Sequence, residues 1–104
     1  MTPDELFDSI IQAFARDPRV TKSKMFGSPG LKVSGKVFAC LVKGKLVVKL
    51  PQDRVNALVT SGEAERFDPG MGRLMKEWVA VVPSGEEEWF TLVRESRDFV
   101  ASAL

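Results

Sequence analysis

Leu6, Phe7, Ile10, Ile11 and Phe14 recur at the three-and-four spacing of a helix. Ahead of them, Thr2-Pro3-Asp4-Glu5 has the parts of a helix start. Thr2 can serve as N-cap, Pro3 sits at the first helical position, and Glu5 completes a capping box. Asp17-Pro18 ends the pattern, because a residue before proline avoids the helical region. The spacing therefore predicts a first helix over residues 3–15.

From Val20 the period falls to two. Val20 to Phe26 reads as a strand with Val20, Lys22, Lys24 and Phe26 on one side and Thr21, Ser23 and Met25 on the other. Gly27-Ser-Pro-Gly30 reads as a turn or bulge. Leu31–Val33, Val37–Val42 and Lys45–Leu50 follow as strands, separated by Ser34-Gly35 and Lys43-Gly44, both suited to tight hairpins.

Two registers fit the second hairpin. A two-residue loop pairs Ala39 with Val48 and Leu41 with Leu46. The core face is then Val37, Ala39, Leu41, Leu46, Val48 and Leu50, with Phe38, Cys40 and Val47 outside. A three-residue loop sends Phe38, Cys40 and Val42 inward instead. In either register Lys45, Val47 and Lys49 face away from Leu46, Val48 and Leu50, and Lys32 joins them if Leu31 and Val33 are inside. Residues 37–42 are apolar on both sides, which suits a central strand.

The helical period returns at Val55, Leu58 and Val59, between Pro51 and a stop at Gly62. Residues 63–75 read as a loop anchored by Phe67, and Trp78–Val82 as a fifth strand. Trp89, Leu92, Val93, Ser96, Val100 and Ala103 trace one side of a last helix over 86–102. Ser84 is a candidate cap, and Glu86, Glu87 and Glu88 lie in the first turn, where the helix dipole favours them. The order α-β-β-β-β-α-β-α predicts one α+β domain over 1–104. It is a two-layer sandwich, an antiparallel meander of about five strands with its helices on one face. Phe26 and Trp78 are expected in the core.

Composition adds one feature. The net charge is +1, yet residues 19–52 hold eight Lys or Arg and no Asp or Glu, so the remainder carries −7. The apolar runs are too short to span a bilayer, the N-terminus lacks the pattern of a secretory signal, and Cys40 has no second cysteine to pair with. These point to the cytoplasm.

The chemistry is thin. Without histidine, Ser-His-Asp and Cys-His catalysis and His/Cys zinc sites are excluded. Glu86, Glu87 and Glu88 point in three directions from a helix and read as a solvated face. Gly27-Ser-Pro-Gly30 could cradle a phosphate but lacks the strand-then-helix setting of a P-loop, and a turn is the stronger reading. Gly70-Met-Gly72-Arg73 offers either an anion contact at Arg73 or a loop that packs Met71 or Met75 on the core. No enzyme activity, cofactor, metal or membrane contact is expected.

At Lys24-Met-Phe-Gly27-x-x-Gly30-Leu31, followed by Gly35-x-x-Phe38-Ala39, Gly44-x-Leu46 and Lys49, the chain resembles the TfoX/Sxy N-terminal domain family. The likeness continues through Phe67, Gly72-Arg73-x-Met75 and Trp78-Val79, and covers roughly residues 4–100. It implies a two-layer α+β domain of the order read above and supplies no catalytic motif. Full-length namesakes are bacterial regulators of competence with a second, helical domain. This chain reads as a stand-alone N-domain.

Two functions are then expected in competition. One is a regulatory module that binds a protein partner, or a second copy of itself, through the outer sheet face. The other is an anion or nucleic-acid binder using Lys22, Lys24, Lys32, Lys45 and Lys49. Val47 and Arg73 complete the candidate contact residues. No recognition helix for duplex DNA is visible.

Overall fold

The computed structural model describes residues 2–25, 28–67, 77–81 and 85–103. Its elements are α1 (Pro3–Ala13), β1 (Val20–Met25), β2 (Ser28–Val33), β3 (Lys36–Val42), β4 (Lys45–Lys49), α2 (Gln52–Thr60), β5 (Glu65–Arg66), β6 (Trp78–Val81) and α3 (Glu86–Ser102). All neighbouring strands run antiparallel, in the order β1-β2-β3-β4-β6-β5. This is the expected α+β architecture, with a sixth strand. Glu65–Arg66, expected as loop, is too short to show a period but pairs with Ala80 and Val79. Phe26, Gly27, Arg73 with its glycines, and Val82 to Ser84 lie outside the described residues.

Local chemistry sets the helix ends. The Thr2 hydroxyl accepts from the Glu5 N–H, and the Glu5 carboxylate accepts from the Thr2 N–H, closing the capping box. Hydrogen bonding to the carboxylate, from the Thr2 backbone N–H first and the Thr2 hydroxyl second, holds the Glu5 carboxyl below its ordinary range. A depressed carboxyl supports the folded state above its unfolded pKa, so this cap weakens as pH falls through the acidic range. Gly62 has φ +81° at the end of α2, where its N–H donates to Val59 O and the Glu63 N–H donates to Leu58 O, a Schellman ending. Gly85, with extended backbone, stands at the N-cap of α3 in place of Ser84.

The hairpin register is settled by two-residue turns. Ser34 and Gly35 have φ of 49° and 85°, and Lys43 and Gly44 have 50° and 77°. Positive φ at both central positions makes type I′ turns, whose twist matches that of the strands. They close on Val33↔Lys36 and Val42↔Lys45. Gly27-to-Gly30 is less of a turn than expected, because Ser28, Pro29 and Gly30 already belong to β2.

One expectation fails inside β3. Leu31 pairs with Ala39 but Lys32 pairs with Val37, so Phe38 is one residue too many and bulges. Beyond it the alternation restarts out of phase. Phe38 joins Ala39 on the helix face and is fully buried there, while Val37 turns to the outer face. The two-residue-loop reading was right for Ala39, Leu41, Leu46, Val48 and Leu50, and wrong for Phe38 and Val37.

The bulge leaves a gap in the ladder, and α3 fills it. The Ser96 hydroxyl donates to Phe38 O at 2.7 Å and accepts from the Lys49 N–H at 3.2 Å. Ser96 is fully buried on a helix stripe otherwise apolar. Ser96→Ala strands a backbone donor and an acceptor away from water and is expected to cost about 1–3 kcal/mol in denaturant titration. A cost below about 0.5 kcal/mol would show that neither group depends on the hydroxyl.

The main core lies between the sheet and the three helices. Phe7, Ile10, Val55, Leu58, Trp89 and Val93 meet Leu31, Phe38, Leu46 and Val48 there. Phe14 meets Phe38 edge-on, ring centres 6.1 Å apart. Arg97 grips Asp17 at 2.9 Å and ties the end of α1 to α3.

Candidate functional site

The outer sheet face carries a second apolar cluster of Cys40, Val47, Phe67 and Trp78, edged by Val37, Val42 and Ala80. The register assembles it: Cys40 pairs with Val47, Val47 with Ala80 and Lys49 with Trp78. The Phe67 N–H donates to Trp78 O, placing Phe67 beside Trp78. Val47 is 1% exposed and Cys40 0% in the single chain. The centre of this face is therefore closed by the protein itself. Val47, expected as a contact residue, is interior.

The five candidate lysines do not form one patch. Residues paired across strands share a face. Lys32 pairs with the outward Val37, and Lys45 and Lys49 flank Val47 on its strand, so these three lie on the outer face. β3 separates Lys32 from the other two, a gap of about 10 Å at two strand spacings. Lys45 meets Glu65 at 3.4 Å in an exposed pair that adds little stability but offsets its charge locally. Lys22 pairs with Leu31, which packs in the main core, so Lys22 and its i+2 neighbour Lys24 stand on the helix side of the sheet. Both are exposed.

These two lysines sit on β1, the edge of the sheet. Thr21 is exposed with them and Ser23 is half-buried. The sequence marks Lys22 and Lys24 for charge, and lysines on an exposed strand are also expected to blunt edge pairing, but that β1 is the edge is settled by the strand order. The signal was present: residues 21–24 are all polar, which a strand flanked on both sides rarely tolerates.

Burial pushes the Cys40 thiol up to about 12, so at neutral pH it stays protonated and a poor nucleophile. Among the described residues no group of three or more His, Cys, Asp and Glu side chains gathers to hold a metal. No described helix is long and apolar enough to cross a membrane. A groove of about 570 Å³ opens between α2 and α3, lined by Arg54, Leu58, Glu63, Glu87 and Glu88 among others. It lies on the acidic helix layer, and neither Cys40 nor any of the candidate lysines lines it.

Among curated proteins none matches the chain. A family model does. It describes the TfoX N-terminal domain and aligns with residues 12–100, from within α1 to near the end of α3. With that coverage and the α+β fold beneath it, the chain belongs to the TfoX N-terminal domain family.

Proposed function

We propose that this chain is a non-enzymatic regulatory module of the cytoplasm that works by contacting another protein along the free edge of β1. The family supports the regulatory half of this reading. The contact half rests on one observation: a six-residue strand, polar at 21–24 and exposed at three of those four positions, ends the sheet. Such an edge offers a row of backbone donors and acceptors to an incoming chain. A contact through the outer face has lost its support, since the apolar residues at the centre of that face are buried in the monomer. A nucleic-acid surface is also less well supported, because its five lysines divide between two faces and one is already paired.

The test is in-cell crosslinking with a photoreactive residue in place of Thr21 on β1, compared with the same residue in place of Asp53 on α2. Adducts that a protease removes should form at position 21 and not at 53. Adducts removed only by nuclease, or no difference between the positions, would contradict the reading.

A further inference from the structure

We propose that the free edge of β1 takes up an extended acidic segment of another protein as a seventh strand, with carboxylates at alternate positions set against Lys22 and Lys24. This rests on the protein-contact reading above and names the chemistry of the partner.

The phase of the hydrogen-bond ladder carries the argument. The Ser34 N–H donates to Arg19 O at 2.8 Å, just beyond the pair Val20↔Val33. In an antiparallel pair, hydrogen-bonded and non-bonded positions alternate. Arg19 and Ser34 occupy a bonded position, so Val20↔Val33 is non-bonded, Thr21↔Lys32 bonded, Lys22↔Leu31 non-bonded and Ser23↔Gly30 bonded. Lys24 falls opposite Pro29, which has no N–H, at another non-bonded position, so the phase is consistent. Residues at non-bonded positions turn their N–H and C=O away from the neighbouring strand. At the edge, these are Lys22 and Lys24. The Val20 N–H turns away as well but already donates to Asp17 O at 3.1 Å.

The residues whose backbone N–H groups turn outward without a partner in the chain are therefore the same two that carry exposed ammonium groups on one face. The Lys24 C=O accepts a 3.4 Å bond from the Ser23 hydroxyl and keeps its second lone pair, and the Val20 C=O turns outward beside them. A strand docked there hydrogen-bonds to Lys22 and Lys24 and places its own alternate side chains beside theirs.

Charge selects the occupant. A second copy, paired antiparallel about Ser23, would set Lys22 against Lys24 of the twin twice over on one face, and like charges directly opposite are destabilising. An acidic strand turns each of those repulsions into an attraction. β1 and the two strands next to it, β2 and β3, contain no Asp or Glu.

The experiment titrates the isotope-labelled full chain with a synthetic peptide alternating Glu and Thr, with its Lys-for-Glu counterpart, and with oligothymidylate of matching charge. Residue-resolved amide exchange is the readout. The Glu peptide should slow exchange at Lys22 and Lys24. The double variant Lys22→Glu/Lys24→Glu should bind it about tenfold more weakly and should prefer the Lys peptide instead. Thermal unfolding of the variant should match the parent, because both side chains are exposed. Several results would overturn the proposal: equal binding of Glu and Lys peptides, no binding at millimolar peptide, or Glu-peptide binding without slowing at Lys22 and Lys24. So would oligothymidylate binding as tightly as the Glu peptide, or these amides already being slow in a dimer without peptide. If the peptide fails while position 21 still captures a protein in cells, the acidic-strand assignment falls and the protein-contact reading stands.

Discussion

Phe38→Ala is expected to lower the free energy of unfolding by about 3–5 kcal/mol, while Val37→Ala costs roughly 1 kcal/mol. The asymmetry comes from the bulge. Phe38 is fully buried on the helix face and packs edge-on against Phe14. Truncation removes a ring from a close-packed site that α1 and α3 can only partly collapse into. Val37 sits half-buried at the border of the outer cluster, where its loss opens toward solvent. A regular β3 would reverse the order, with Val37 inside and Phe38 outside. Denaturant titration of the two variants distinguishes these arrangements. A larger loss at Val37 would show that the strand alternates without interruption.

Trp78→Ala carries the second large expected effect, again about 3–5 kcal/mol. Trp78 is on the outer face, opposite Lys49, and yet it is only 7% exposed. It and Phe67 belong to the cluster that keeps Cys40 and Val47 from water. Removing the indole should therefore do more than destabilise. The Cys40 thiol, inert in the parent, should become open to thiol reagents under native conditions, and its pKa should fall from about 12 toward the ordinary cysteine value as burial is relieved. A loss below about 1 kcal/mol together with unchanged thiol labelling would show that the outer cluster does not depend on Trp78.

The parts of the fold legible in the chain are those encoded by neighbours. Thr2 with Glu5 announces α1, and Ser34-Gly35 and Lys43-Gly44 announce two tight turns, because capping and left-handed backbone depend on residues a few positions apart. The bulge at Phe38 was not legible. Residues 37–42 are apolar on both sides, so one extra residue leaves no trace in the spacing, and the compensating Ser96 lies far along the chain. β5 has two residues, too few for any period, and exists only because β6 is beside it.

The site divides along the same line. Lys22 and Lys24 were legible as charges, and the polar run at 21–24 is the mark of an edge strand. Which lysines share a face depends on register across β1, β2 and β3, and the bulge changes that register midway. The closure of the outer face depends on Phe67 and Trp78 folding back beside Val47, a long-range event with no local signature. Charge run and surface patch are thus different things here. The basic run of residues 19–52 is continuous in sequence and split in space.

The central claim is that the outer face is closed by the chain and that the sheet stays open at the β1 edge. Residue-resolved amide hydrogen exchange on the free protein, at concentrations high enough to drive weak self-association, tests it most directly. The ladder phase predicts an alternation: slow exchange at Thr21 and Ser23, whose amides face β2, and fast exchange at Lys22 and Lys24, whose amides face outward. Uniformly slow exchange across these four residues would mean that the edge is already paired, and would contradict the account.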